Sequence, residues 1–226
     1  MMLNKFLNEY ENELREILDA LRDCYFDELD DYTFDESVVI PFKDSYKKPF
    51  KAANGATKGV LIFPNFGFVI KIPFVYCDGD ELCGAQDGVN AWDYCSQEVC
   101  RYEMAEEEGF GDIFLETDLL GEVNNHPIYI QPYAEVLNTL NSEEYTSNHC
   151  SSVEADKETV RLLDKQESYD WLNENWEADF YVKYGVERFK KFKTYLKDNW
   201  INDLRDANIG YVGKKPVLVD YAGFDN

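Results

Sequence analysis

The sequence predicts an α+β fold built around a sizeable core. Apolar residues recur at three- and four-residue steps near both ends of the chain, which is typical of amphipathic helices. Between residues 48 and 74, short apolar runs alternate with tight turns, which favours antiparallel strands. The 226 residues, 45% hydrophobic and 15% aromatic, are enough for one domain or two small lobes.

The chain is strongly acidic. Its 45 acidic and 22 basic residues give a formal net charge of −23. Such a field repels nucleic acid and anionic membranes, so direct binding to either is not expected, and a nucleotide would need a local basic patch. The same charge would suit a basic protein partner, although a solubilising surface also explains it.

Cysteine usage indicates a reducing compartment. The chain opens on a charged amphipathic segment rather than a secretory signal, so we expect its six cysteines to be free thiols and the location to be cytoplasmic. Two histidines and no Cys-x-x-Cys pair make a zinc site unexpected. No apolar run approaches the roughly 18 residues that cross a bilayer.

The first 36 residues are predicted to form a helical extension. Apolar residues within 3–29 share one side of a helix whose other side is acidic, and packing on its own domain is favoured over binding a partner helix. Residues 37–42 predict a short strand.

Residues 37–133 are predicted to form a five-stranded antiparallel lobe with one main helix. Residues 75–90 are expected to be a loop, and the helix is expected at 92–108. The strands are expected at residues 48–53, 59–63, 68–74, 113–122 and 127–131.

The remainder, residues 134–226, is predicted to be mostly helical before a terminal hairpin. Residues 138–168 are polar and lack periodicity, which indicates a long loop, and helices are expected at 169–184 and 186–200. Two apolar runs joined by a turn at Gly213 predict the hairpin, which ends at Asp220.

This hairpin and the loop before it carry candidate chemistry. Oxygen atoms of Asn208 and Asp220 would suit Mg²⁺, and Asp203 could orient a hydroxyl nucleophile. An ordinary acidic hairpin without chemistry is the alternative.

The same stretch resembles the protein kinase-like superfamily, which includes small-molecule phosphotransferases. Asp203 to Asn208 has the Asp-x-x-x-x-Asn spacing, and Asp220-Tyr221-Ala222-Gly223 stands where Asp-Phe-Gly would. Ile201-Asn202 replaces the usual His-Arg, and one extra residue precedes Gly223.

The amino-terminal half resembles this superfamily as well. Val69-Ile70-Lys71-Ile72 is similar to the third-strand Val-Ala-Ile-Lys, whose lysine contacts the α- and β-phosphates. The resemblance implies a glutamate partner on the next helix, with Glu98 preferred and Glu103 in reserve. A lysine on a solvent face is the alternative for Lys71.

In this resemblance, the order of the elements along the chain implies which residues would contact the nucleotide. The turn that contains Gly55 and Gly59 lies where a phosphate cover would lie, although a plain hairpin turn also explains it. Residues 131–134 would form the hinge, where Gln131 and Tyr133 would offer backbone groups to an adenine edge.

The resemblance implies a bilobal protein kinase-like fold with a reduced C-lobe and a cleft between the lobes. The implied activity is transfer of phosphate from ATP or another nucleoside triphosphate, with Mg²⁺, to an unknown acceptor. The implied catalytic residues are Asp203, Lys71 and Glu98. The sequence ends three residues after Gly223 without an activation segment, so a minimal kinase-like protein of viral or mobile-element type is expected rather than a typical protein kinase.

A second function is consistent with the same sequence. The kinase-like scaffold could be catalytically inactive and use its acidic surface to capture or inhibit a basic protein, such as a nucleic-acid-binding one.

Overall fold

The computed structural model describes residues 7–24, 36–54, 57–73, 76–78, 81–83, 92–124, 126–136, 175–202, 204 and 206–222. The chain divides into two compact units, described in turn. The first unit comprises Met1–Met104 and Leu115–Tyr133, and the second comprises Ala105–Phe114 and Ala134–Asn226.

A five-stranded antiparallel sheet organises the first unit, as the sequence predicted. Its strands are β1 (Lys51–Asn54), β2 (Lys58–Phe63), β3 (Phe68–Pro73), β6 (Asp118–Val123) and β7 (His126–Pro132). Their spatial order is β1-β2-β3-β7-β6. Gly67 closes the β2–β3 turn at φ 78°, a left-handed conformation that glycine adopts without steric penalty.

The two faces of this sheet differ in chemistry. Side chains alternate along a strand, and residues paired across antiparallel strands point to the same face. One face is apolar and packs with two helices, α1 (Glu11–Cys24) and α2 (Glu36–Ser45). The sheet contributes Leu61, Phe63, Phe68, Ile70, Ile72, Val123, Ile128 and Ile130 to that core. The register places Lys58, Lys71 and Gln131 together on the opposite face.

Helix α1 confirms the predicted amphipathic segment over the part described. Leu14, Ile17 and Leu21 recur at helical spacing and are buried against the sheet. Glu11 and Glu13 in its first turn and Arg22 in its last turn complement the helix dipole.

The predicted strand at residues 37–42 is wrong, because α2 occupies this stretch. The run Val38-Val39-Ile40 has high strand propensity. Phe42 and Tyr46, however, lie one helical turn apart and are both buried in the core. Tertiary burial of one helical side therefore overrides local propensity here.

Residues 75–90 are also not wholly loop. They contain a two-stranded hairpin of β4 (Tyr76–Asp78) and β5 (Glu81–Cys83). The expected main helix is confirmed as α3 (Trp92–Glu107). Of these three helices, α1 and α3 were predicted, and α2 was not.

The second unit contains α4 (Asn175–Tyr184), α5 (Val186–Asp198) and a three-stranded sheet. Strands β9 (Ile209–Val212) and β10 (Lys215–Leu218) form the predicted terminal hairpin, and β8 (Glu135–Val136) pairs with β9. Aromatic rings dominate the packing here: Phe110, Phe114, Phe180, Phe189, Phe192, Tyr195 and Tyr221. The predicted loop at 138–168 lies outside the described residues.

Two glycines shape the terminal hairpin. Gly213 turns the chain at φ 62°, and a Cβ on Gly210 would lie 2.7 Å from Val219 and 2.8 Å from Ala134. Gly210 thus permits close packing of β9 against its neighbours. Among the described helices, none has both the length and the apolar character needed to span a bilayer.

Candidate functional site

Lys71 lies at the centre of the polar sheet face. Its strand β3 lies between β2 and β7, and all six residues of β3 are buried. Lys71 itself is only 3% exposed. The alternative of a lysine on a solvent face is therefore wrong. A buried ammonium needs a charged partner to offset its loss of hydration.

Glu98 supplies that partner from α3. Its carboxylate is fully buried, and its Oε2 accepts a hydrogen bond from Lys71 Nζ at 2.5 Å. Glu103, the reserve candidate, is exposed on the same helix. The structure thus joins the lysine of the third strand to the glutamate preferred from the sequence.

A second lysine shares this carboxylate. Lys58, the first residue of β2, is 4% exposed and donates to Glu98 Oε1 at 2.6 Å. Sequence reasoning missed it. Strand alternation could have identified Lys58. Val60 pairs with Lys71, and Lys58, two residues before Val60, points to the same face of the sheet.

Two neutral side chains complete the buried network. Thr117 donates its hydroxyl to Glu98 Oε2 at 3.1 Å. Gln131 donates from Nε2 to Thr117 Oγ1 at 2.7 Å and to the carbonyl of Leu115 at 3.2 Å. Glu98 is therefore held by two ammonium groups and one hydroxyl, and Gln131 orients that hydroxyl.

The predicted hinge residues Gln131 and Tyr133 form hydrogen bonds within the first unit. Gln131 is buried and directs its side chain into the network, while its backbone pairs with Val69. The backbone N–H of Tyr133 donates to the carbonyl of Gly67 at 2.8 Å. Of the predicted phosphate cover, Gly59 is a buried residue of β2 paired with Ile72, and Gly55 lies outside the described residues.

In the second unit, a backbone hydrogen bond joins Asn208 to Val219, the residue before Asp220. Asn208 ends a short 3-10 turn (Asp206–Asn208) and is buried, and Asp220 follows β10 and is half-buried. The N–H of Val219, which precedes Asp220, donates to the carbonyl of Asn208 at 2.9 Å. Asp203 lies outside the described residues.

The chemistry of this pair fits Mg²⁺. Both side chains offer oxygen donors, and Mg²⁺ in proteins is usually held by one or two such groups while water and phosphate complete its octahedron. Mg²⁺ therefore does not require a larger set of protein ligands. The described residues contain no group of three or more His, Cys, Asp or Glu that could hold a metal ion.

A buried contact ties the terminal hairpin to α4. Tyr211 on β9 donates its hydroxyl to Asp179 Oδ2 at 2.5 Å, and both side chains are buried. Tyr211 is three residues from Asn208, so this bond limits movement of the strand that follows the candidate ligand.

Comparison of the chain with protein-family models, curated proteins and solved structures gave no match.

Proposed function

We propose that this chain is a kinase-like phosphotransferase that binds a nucleoside triphosphate with Mg²⁺ and transfers phosphate to a hydroxyl acceptor. The observation that carries the proposal is the buried ion pair between Lys71 on the third strand and Glu98 on the helix that follows. Kinases require this lysine–glutamate pair in place for activity. A bilobal kinase-like fold is part of the proposal.

In this proposal, Lys71 holds the α- and β-phosphates and Glu98 fixes the direction of its ammonium. Positioning and electrostatic stabilisation account for most of the catalysis of phosphoryl transfer, so a lysine held rigidly is more effective than a mobile one. Burial strengthens the interaction, because little water remains to screen the charges.

Asn208 and Asp220 are the proposed ligands of Mg²⁺, which would neutralise charge on the phosphate oxygens. The Val219–Asn208 backbone bond supports this assignment, since it holds the residue before Asp220 beside Asn208. Asp203 would accept a hydrogen bond from the acceptor hydroxyl and orient it for attack.

Calorimetric titration with ATP tests the proposal directly. We expect the wild-type protein to bind ATP more tightly with Mg²⁺ than without it, because the metal links the phosphates to Asp220. In Asp220→Ala the Mg²⁺-dependent part should disappear, and a thermal-shift series should lose the same increment. Asp198→Ala, which removes an exposed carboxylate at the end of α5, is the matched control. An unchanged Mg²⁺ response in Asp220→Ala would count against the assignment.

The net charge of −23 supports a second candidate, an inactive kinase-like protein that captures a basic protein. Under this function the wild-type protein would bind no nucleotide at millimolar ATP. It would instead retain basic proteins on a column, and moderate salt would release them. Nucleotide binding without such retention favours the phosphotransferase.

A further inference from the structure

Helix α5 carries a line of lysines on its exposed side. Apolar residues bury the other side of the helix. Lys190, Lys193 and Lys197 follow one another at steps of three and four residues, so they lie in one row along the helix. Lys190 and Lys197 are exposed, and Lys193 is partly exposed. Trp200 continues this spacing just beyond the helix, and we call these four residues the basic stripe.

The carboxylates of α5 do not neutralise the basic stripe. By helical spacing, Glu187 and Asp198 fall on the side of the row away from Lys193. Glu187 precedes Lys190 by three residues, a spacing at which an aspartate and an arginine form an ion pair on α1. Among the described residues, however, neither Lys190 nor Lys197 has a carboxylate partner. Their ammonium groups are therefore available to an anion.

Trp200 ends the basic stripe in an unusual conformation. It is 73% exposed and has φ 55°, a left-handed conformation that bulky residues rarely adopt. The helix ends here in a Schellman motif, in which the N–H of Ile201 donates to the carbonyl of Leu196 at 2.9 Å and the N–H of Trp200 to that of Lys197 at 3.3 Å. Glycine is the usual residue at this position. Because backbone groups make both bonds, the helix end does not explain an indole.

The strain and the exposure of Trp200 together point to a binding role. Residues in sparsely populated backbone conformations cluster at ligand-binding sites. Tryptophan is enriched where proteins contact partners, because its ring offers a large apolar area with little conformational freedom to lose.

The charge and the length of the basic stripe define its occupant. Ten residues separate Lys190 from Trp200, which is about 15 Å along a helix. A long polyanion, such as nucleic acid or an anionic membrane, would extend beyond the stripe and meet the field of a chain with net charge −23. Screening acts beyond about 8 Å at physiological salt, so a short acidic segment interacts chiefly with the stripe.

We propose that the basic stripe binds a short acidic peptide segment of another protein. Its carboxylates pair with Lys190 and Lys197, and one apolar side chain packs on Trp200. The indole supplies most of the affinity, since exposed ion pairs contribute little, and the lysines select for acidic sequences. The inference does not depend on nucleotide binding, because no residue of the stripe belongs to the proposed phosphate or metal site.

Selection at low salt from a library of random displayed peptides tests the proposal. Peptides of about twelve residues would cover the stripe as helices. A chain with net charge −23 should mainly select basic peptides. We expect in addition a class rich in Asp and Glu with one aromatic or large aliphatic residue. A selection without this acidic class overturns the proposal.

Variants then locate the binding surface. A peptide of the acidic class is labelled and titrated by fluorescence anisotropy. Trp200→Ala should weaken its binding roughly tenfold, and Lys190→Gln combined with Lys197→Gln roughly fivefold. Matched controls are Ile40→Ala, which removes another exposed apolar side chain, and Lys51→Gln, which removes an exposed lysine on β1. Wild-type affinity in either the tryptophan or the lysine variant overturns the proposal.

Trp200→Gly separates a binding residue from a structural one. Glycine adopts the positive φ without steric cost and keeps the backbone hydrogen bonds. We therefore expect a urea midpoint equal to or above that of the wild type, together with loss of peptide binding. A lower midpoint would assign Trp200 a structural role and overturn the proposal.

Two competing anions complete the test. Oligothymidine and vesicles of equal parts phosphatidylcholine and phosphatidylserine should each bind more weakly than the selected peptide. Tighter binding of either anion, lost when Lys190 and Lys197 are both replaced by glutamine, overturns the assignment to an acidic peptide.

Discussion

Thr117 donates its hydroxyl to the same oxygen of Glu98 that receives the ammonium of Lys71. The carboxylate is thus fixed by a neutral donor as well as by charge. Gln131 donates in turn to the Thr117 oxygen. The hydrogen bonds from Gln131 through Thr117 therefore link strand β7 to the glutamate of α3.

Thr117→Val tests this chain of hydrogen bonds. Valine preserves the shape but removes both the donor to Glu98 and the acceptor for Gln131, so the free energy of unfolding should fall by about 1–3 kcal/mol. Urea titration followed by circular dichroism measures the loss. Thr117→Ser keeps the hydroxyl and should lose clearly less. Equal losses in the two variants would show that methyl packing, not the hydroxyl, matters at this position.

Glu98→Gln removes the charge that both lysines share. Loss of one partner from a buried ion pair typically costs about 3–5 kcal/mol, so unfolding should shift to much lower urea concentration. Under the proposed function, ATP binding should weaken as well, because the direction of Lys71 is no longer fixed. Glu103→Gln, on the exposed side of the same helix, should remain within about 0.5 kcal/mol of the wild type. Similar stability losses in both variants would contradict a special role for Glu98.

Asp203→Ala separates turnover from binding. Under the proposed function Asp203 orients the acceptor, so the variant should lose about 10²–10⁴-fold in rate while it still binds ATP and Mg²⁺. Release of phosphate from ATP, with water as acceptor, provides a readout that needs no knowledge of the natural acceptor. Asp220→Ala, by contrast, should lose Mg²⁺-dependent binding itself. Full phosphate release by Asp203→Ala would remove this residue from the mechanism.

Cys24 should be chemically inert near neutral pH. Burial in the core, with a smaller contribution from the nearby charge of Asp23, raises the pKa of its thiol from 9.0 to about 11. At pH 8, therefore, roughly one molecule in a thousand carries the thiolate. Because the folded-state pKa is the higher one, the contribution to stability is present below pH 9 and is lost as pH rises toward 11. Iodoacetamide mapping by mass spectrometry at pH 8 should modify exposed Cys100 well before Cys24. Equal rates at the two cysteines would contradict burial of Cys24.

The sequence predicted correctly those helices and strands whose own residues carry a periodic or turn-forming pattern. The turns after β1 and β2 and the periodicity of α3 lie within short windows, so the five-stranded sheet and its main helix were predictable. The terminal hairpin was predictable because the turn at Gly213 lies between two apolar runs. At residues 37–42 the same reasoning failed, because burial of Phe42 and Tyr46 decides the conformation there.

The candidate site was only partly predictable. The family resemblance drew attention to Lys71 and Glu98, which are 27 residues apart in the chain. Lys58, Thr117 and Gln131 join the same network, yet no short window contains them. These residues could be recognised only from the register between paired strands, and the register is known only when the partner strand is known.

By itself the sequence determined the acidic character, the α+β composition and most of the regular elements, because these depend on residue type and short-range periodicity. Only the tertiary structure decided that Glu98 serves two lysines and that Gln131 supports it through Thr117. The physical reason is that burial and hydrogen bonding depend on which strands are neighbours in space. Adjacent strands β2 and β3 bring Lys58 and Lys71 to one face, and α3 supplies the carboxylate they share.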